Sequence, residues 1–293
     1  MLLSCMFLTL GDACSKLLTA TYPVGEIIFA RSLVILAIAA AVVLRQGSFA
    51  SIRPRSTRDQ LRRAAYFVAS TFLVNWSFKL LPLPMVHAIL FAAPIFMTAL
   101  APVLLAEKVG LSRWVAVLVG FAGVLVIIGP SDGDWQWSAL VPLFGALAGA
   151  LRDLATREMA GKETTMSLMI FMAAATGVAA LATAPFGWVA PSLPDLALML
   201  LFGSSTTMAL FLQVLAFRAA EAGLLAPFKY SSIVWSILLG ILLWGYVPTL
   251  PMLFGIAVVV GSGLYILRRE MAHAAAAAAA TKAGGLPVRG EQT

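Results

Sequence analysis

Long apolar runs separated by short polar breaks dominate the chain as far as about residue 267. Ten such runs fall near residues 1–20, 25–44, 62–81, 84–105, 112–129, 137–156, 166–184, 194–216, 222–244 and 250–267. A helix needs about 20 mostly apolar residues to cross a bilayer, and these runs have that length. The gaps between them are too short for a separate folded domain. The pattern therefore predicts an all-α integral membrane protein of ten transmembrane helices.

Composition agrees with the pattern. Of 293 residues, 61% are hydrophobic and 11% charged, against about 25% charged in an ordinary soluble domain. A soluble fold would have to cover its core with very little charge. Cys5 and Cys14 lie nine residues apart in the first run, about 13 Å along one helix, too far for a disulfide. The first run has no basic segment before it, and it reads as a retained span rather than a cleaved leader.

The net charge of +7 changes the picture only through its distribution. Arg45, Arg53, Arg55, Arg58, Arg62 and Arg63 cluster between the second and third runs. Lys108, Arg113, Arg152, Arg157, Lys162, Arg218, Arg268, Arg269, Lys282 and Arg289 fall on the same side if ten helices alternate. The opposite loops, TATYPVGE, GPSDGDWQW, PFGWVAPSLPD and GYVPTLP, hold no Lys or Arg. The positive-inside rule places both termini in the cytoplasm, and the chain is read as an inner-membrane protein. Basic charge set by topology is no sign of a nucleic-acid partner.

The chain also carries an internal echo. Leu105–Ile127 lies on Leu243–Tyr265 at an offset of 138, which matches Val109 with Val247, Gly123 with Gly261, Pro94 with Ser232 and Asn75 with Gln213. At an offset of 141, DACSK (Asp12–Lys16) lies on DLATR (Asp153–Arg157). Each half holds five spans, so the second half enters the membrane from the opposite side. Inverted repeats of this kind are characteristic of transporters that bind substrate near the midplane. The expected units are a first repeat over residues 1–130, a second over 131–270 and a flexible cytoplasmic tail over 271–293.

GEIIFARSL (Gly25–Leu33), LVGFAGVLVIIGP (Leu118–Pro130), LRDLATRE (Leu151–Glu158) and APFKYSSIVWSILLGILLWGYVP (Ala226–Pro248) resemble the drug/metabolite transporter superfamily, and within it the EamA-type ten-helix carriers. The likeness extends over residues 1–268. The family often closes its fourth and ninth helices with Gly-Glu. Here Ala106-Glu107 keeps the acid in the first half and Trp244-Gly245 lacks it in the second. The resemblance implies a carrier of small organic metabolites, such as amino acids and their derivatives, S-adenosylmethionine, riboflavin or opine-type metallophores.

Charge inside hydrocarbon costs about 2.5–3.5 kcal/mol per residue on insertion scales, so each charged side chain needs a partner or a wet cavity. Asp12 with Lys16, and Asp153 with Arg157, are spaced to pair along one helix face, serving either as self-neutralising anchors or in coupling. Glu26 and Arg31 enter the second helix from outside; Glu26, like Asp12, is a candidate for ion pairing or proton coupling, and Arg31 is expected to reach Asp12 or a substrate carboxylate. Lys229 lies too deep to snorkel to the boundary and is read as an anion anchor, with Tyr230 and Trp235 beside it. Asn75 and Gln213, in matched places, are either cavity-facing hydrogen-bonders or glue between helices. Lys79 snorkels outward, and His87 reads as an interfacial hydrogen-bonder. Pro94, Pro102 and Pro227 are candidate kinks. Gly145 and Gly149 form a G-x-x-x-G packing face.

No Walker loop, metal cluster or nucleophile–base constellation is present in the sequence, so neither an enzyme nor a bound cofactor or metal is expected. The reading is a secondary transporter working by alternating access on a small, carboxylate-bearing metabolite, with the lipid bilayer as its other partner and export favoured over uptake. Uptake of a cofactor or vitamin, and a non-transporting scaffold or sensor, stay open as alternatives. A homodimer stays open as an assembly.

Overall fold

The computed structural model describes residues 1–46, 56–104, 110–129, 137–158, 165–219 and 225–284. Its helices are α1 (Leu2–Leu18), α2 (Val24–Gln46), α3 (Thr57–Leu80), α4 (Leu83–Leu90), α5 (Ala93–Leu104) and α6 (Leu111–Ile128). Then come α7 (Leu140–Glu158), α8 (Thr165–Leu181), α9 (Leu193–Ala219), α10 (Ser231–Trp244) and α11 (Leu250–Gly284). Short 3-10 turns, Trp137–Ala139 and Ala226–Tyr230, lead into α7 and α10. No strand occurs among the described residues.

Among the described residues, five stretches are long and apolar enough to cross a bilayer: Val24–Arg45, Leu83–Leu104, Trp137–Thr156, Leu193–Gln213 and Leu250–Arg269. Trp114–Ile128, Ser167–Leu181 and Phe228–Trp244 are shorter apolar helices. The outer surface is apolar, with Phe254 at 65% and Phe211 at 57% exposure. Ser15, Asn75, Ser77 and His87 are instead buried. Such an inversion suits a chain whose solvent is lipid.

Local chemistry explains where helices break. Pro94 has no N–H to give Leu90 and disfavours helical backbone just before it, and the expected fourth run divides there into α4 and α5 across Phe91 and Ala92. Pro102 is carried inside α5, and Pro227 falls in the 3-10 turn before α10. Gly245 ends α10 with φ +62°. Its N–H bonds to Ile241 O and the Tyr246 N–H to Gly240 O, a left-handed cap that glycine takes without strain. α11 continues to Gly284, through the alanine run expected to be a flexible tail, because alanine is the best helix former. The remainder of that tail lies outside the described residues.

Packing follows small residues. Cβ atoms added at Gly145 and Gly149 would meet Val74 and Ser70, and Ser70 Oγ donates to Gly145 O. The G-x-x-x-G face of α7 thus lies on α3. α6 and α11 approach through Gly123 and Gly255, where a Cβ on Gly255 would stand 2.8 Å from Gly123 O. Further pairs are α1 with α9 and α10, α2 with α8 and α9, α3 with α8, and α5 with α7. A core of Phe78, Leu83, Val86, Ile89, Val124 and Ile233 joins α3, α4, α6 and α10.

Candidate functional site

The polar face of α1 organises the interior. Asp12, Ser15 and Lys16 are spaced i, i+3 and i+4, so they lie on one side of the helix. Each engages a different neighbour. The Asp12 carboxylate stands 3.3 Å from His87 Nε2 of α4. Ser15 Oγ donates to Asn75 Oδ1 at 2.6 Å, and Asn75 Nδ2 donates to Thr71 O at 2.7 Å. Lys16 Nζ donates to Phe78 O at 2.8 Å and Leu81 O at 2.7 Å.

The expected Asp12–Lys16 pair therefore does not form. The carbonyls at the end of α3 have lost their helical partners, and an ammonium satisfies them while facing the negative end of the helix dipole. Asp12 turns to His87, whose side chain is buried within the protein. Although within ion-pair range, His87 Nε2 lacks the alignment of a hydrogen bond. Phe78 flanks the imidazole with ring centroids 6.3 Å apart.

Arg31 approaches the same region from α2. Its guanidinium lies over the Phe202 ring of α9, 5.4 Å from the centroid. The same Phe202 side chain packs against Gly11, the neighbour of Asp12, and Arg31 Nε is buried without a hydrogen-bond acceptor among the described residues. Asp12, His87 and Arg31, on α1, α4 and α2, bring three ionisable side chains into the interior of the helices.

Lys16 also borders a cavity of about 480 Å³ with Lys79, Leu80, Leu81, Pro82, Leu83, Gly240, Trp244, Gly245, Tyr246 and Val247. Lys16 Nζ lies 5.5 Å from the Trp244 ring centroid. Tyr246 Oη contacts Met252 Sδ at 3.3 Å, and burial pushes its phenol up, keeping it protonated.

The remaining expected residues lie elsewhere. Glu26 is buried and accepts the Val189 N–H at 3.1 Å. Beside it, Tyr22 Oη donates to Asp195 Oδ2 at 2.8 Å and accepts the Ser192 N–H at 3.2 Å. This latch ties the α1–α2 corner to the segment before α9. Asp153 pairs with its neighbour Arg152 at 2.7 Å, and the Arg157 side chain lies outside the described residues. Lys229 is exposed on the 3-10 turn, where its carbonyl accepts from Cys5 Sγ and Ser232 Oγ. Cys5 is seven residues from Asp12, about 10 Å along α1, so Lys229 and Arg31 lie at different depths. Tyr230 stacks on Phe91 with centroids 4.7 Å apart. Gln213 is half-buried on α9. The Trp235 indole N–H is buried without an acceptor among the described residues.

Sequence reasoning missed His87 as a partner of Asp12, and Phe202, Trp244 and Tyr246 as walls. His87 left a usable signal: it is the sole histidine within an apolar run, and Asp12 is an acid in need of a partner. The aromatic walls left none, because apolar runs carry many such rings.

Residues 1–129 match the EamA-like transporter family. An S-adenosylmethionine uptake transporter of Rickettsia prowazekii (strain Madrid E) is 28% identical over 62% of this chain and 62% of its own. A riboflavin transporter of Vibrio cholerae is 31% identical over 29% of this chain and 28% of its own. A riboflavin transporter of Rhizobium johnstonii is 32% identical over 32% and 33%. The chain thus spans less than two thirds of the length of the curated relatives it matches. A crystal structure of 18% sequence identity superposes with a TM-score of 0.65, covering 91% of this chain and 96% of the other. That likeness extends the fold over nearly the whole chain.

Proposed function

For a chain that carries an EamA-like transporter domain of the drug/metabolite transporter superfamily, we propose the activity of a secondary carrier that moves a small, carboxylate-bearing organic metabolite across an inner membrane by alternating access. It spans the bilayer ten times in two inverted halves, residues 1–130 and 131–270, with both termini cytoplasmic. The observation that carries the reading is the Asp12–His87–Arg31 cluster buried among apolar helices. Such charges are costly in hydrocarbon unless a cavity or a charged ligand uses them. Arg31 Nε, still in need of an acceptor, suits a carboxylate.

The packing supports the inverted arrangement. Exchanging the halves turns α1 against α9 into α7 against α3, α2 against α9 into α8 against α3, and α1 against α10 into α7 against α5. All six contacts occur. The pairs α2 with α8 and α6 with α11 map onto themselves.

Uptake of a cofactor or vitamin is the favoured direction and class. The names of the relatives support it, and so does the cavity at the Lys16 end of α1, which faces outside when both termini are cytoplasmic. This revises the sequence-based preference for export. Lys229, Tyr230 and Trp235 line the inner approach, and Asn75 and Gln213 support the path between.

Purified protein reconstituted into vesicles with a mixed metabolite panel tests the reading. Saturable movement of at least one carboxylate is expected, and Arg31→Gln should abolish it while the protein still inserts. Absence of flux for every metabolite would favour a scaffold or sensor. Flux unaltered by Arg31→Gln would remove the cluster from the path.

A further inference from the structure

We infer that the cavity between the ends of α1, α3 and α10 is a binding site for organic anions built on an aromatic ring. Its role as the first station of uptake rests on the carrier reading; its ligand class does not.

The cavity's volume of about 480 Å³ lies within the usual range for small-molecule sites, roughly 300–1,000 Å³. Two ammonium groups face it, Lys16 and Lys79, and among the described residues no carboxylate lines it. An ammonium has three donors, and Lys16 has committed two, to Phe78 O and Leu81 O. These bonds hold the charge in place and leave one donor and the net charge for a ligand. Lys79 is exposed on a flexible stem and can close over a bound anion. Both partners of a charge-assisted contact are thereby provided, one fixed and one mobile.

The opposite wall is aromatic. Trp244 already presents its ring to Lys16, and Tyr246 stands two residues on. A planar ligand can stack on Trp244 with its acidic group reaching Lys16 or Lys79. Gly240 and Gly245 place no side chain in the space between, and Gly245 is held at φ +62°, where other residues are strained.

The same charges exclude an opposite class. A ligand carrying a permanent sulfonium cation meets two lysines and no acid, and like charges at close range are repelled. Of the two substrate chemistries named for the relatives, the flavin ring suits the Trp244 wall and needs an added phosphate to supply the anion that riboflavin lacks, whereas the sulfonium and ammonium of S-adenosylmethionine outweigh its one carboxylate beside two lysines.

The experiment uses purified full-length protein in detergent, with flavin mononucleotide, riboflavin, indole-3-acetate and S-adenosylmethionine as probes, read by calorimetry and by quenching of flavin fluorescence. Flavin mononucleotide should bind more tightly than riboflavin, and S-adenosylmethionine should not displace it. Lys79→Gln, an exposed change that leaves the packing intact, should weaken flavin mononucleotide about tenfold, a loss of about 1.4 kcal/mol, and leave riboflavin unchanged. Trp244→Leu should weaken both flavins. Lack of binding by both anions, or anion binding insensitive to Lys79→Gln, overturns the proposal. Vesicle flux separates the two readings: anion binding with these sensitivities but no flux supports the site and removes the carrier, whereas flux without such binding does the reverse.

Discussion

Two glycines on α11 form a matched pair that measures the contact between α6 and α11. Gly255 is buried, and a Cβ there would lie 2.6 Å from Ile127 Cγ1, 2.8 Å from Gly123 O and 3.2 Å from Ile127 N. Two of these three atoms are backbone, so no rotamer change relieves the overlap. Gly261, six residues on, is exposed, and a Cβ there meets nothing within 4 Å. Substituting alanine at either site gains similar helix propensity, at most about 1 kcal/mol. Gly255→Ala also suffers overpacking, typically about 1–3 kcal/mol. The difference between the variants isolates the contact, and Gly255→Ala should be about 1–3 kcal/mol the less stable. Unfolding in mixed micelles titrated with dodecyl sulfate, followed by helical circular dichroism, provides the comparison. Two variants agreeing within about 0.5 kcal/mol would refute a backbone-to-backbone approach at this point.

The other contacts lead to comparable expectations. His87→Ala should leave Asp12 without its facing partner and destabilise by about 1–3 kcal/mol. Adding Asp12→Asn should recover part of that loss, and strict additivity in the double-mutant cycle would deny the pairing. Lys16→Met removes two ammonium-to-carbonyl bonds at the end of α3. Set against the easier burial of methionine, a net loss of about 1–2 kcal/mol is expected, and thermal unfolding showing equal or greater stability would refute the capping role. Saturable carboxylate flux should survive Asp153→Asn, because Asp153 pairs with its own neighbour Arg152; abolished flux with normal insertion would place Asp153 in the path.

The all-helical, membrane-type character and the five stretches of bilayer-crossing length were legible because apolar runs of that length, repeated along a chain with little charge, rarely occur outside membranes. So was a close-packing face on α7, since G-x-x-x-G announces close approach, although its partner α3 was not. The breaks were legible in part: Pro94 marked the division of α4 from α5, whereas the 3-10 start of α10 depends on its surroundings as well as on Pro227. Charge partners were the least legible. Spacing along one helix suggested that Asp12 and Lys16 serve each other, but tertiary structure offered each a better partner, an imidazole from α4 and two bare carbonyls from α3. Those partners lie 75 and about 60 residues away in sequence, a separation that helical periodicity does not address. Arg31 was recognised as needing an anion, and its stacking on Phe202 was not foreseeable from either segment.

The latch between Tyr22, Asp195, Ser192, Glu26 and Val189 has a mechanical consequence. It fastens the α1–α2 corner to the segment before α9, while the cavity opens on the α3–α10 flank. A body fastened along one edge swings like a door, and displacement grows with distance from the jamb. Spin labels placed at Val247 should therefore travel farther during turnover than labels at Val189, and the rim that moves most is the one that carries Lys79 and Trp244.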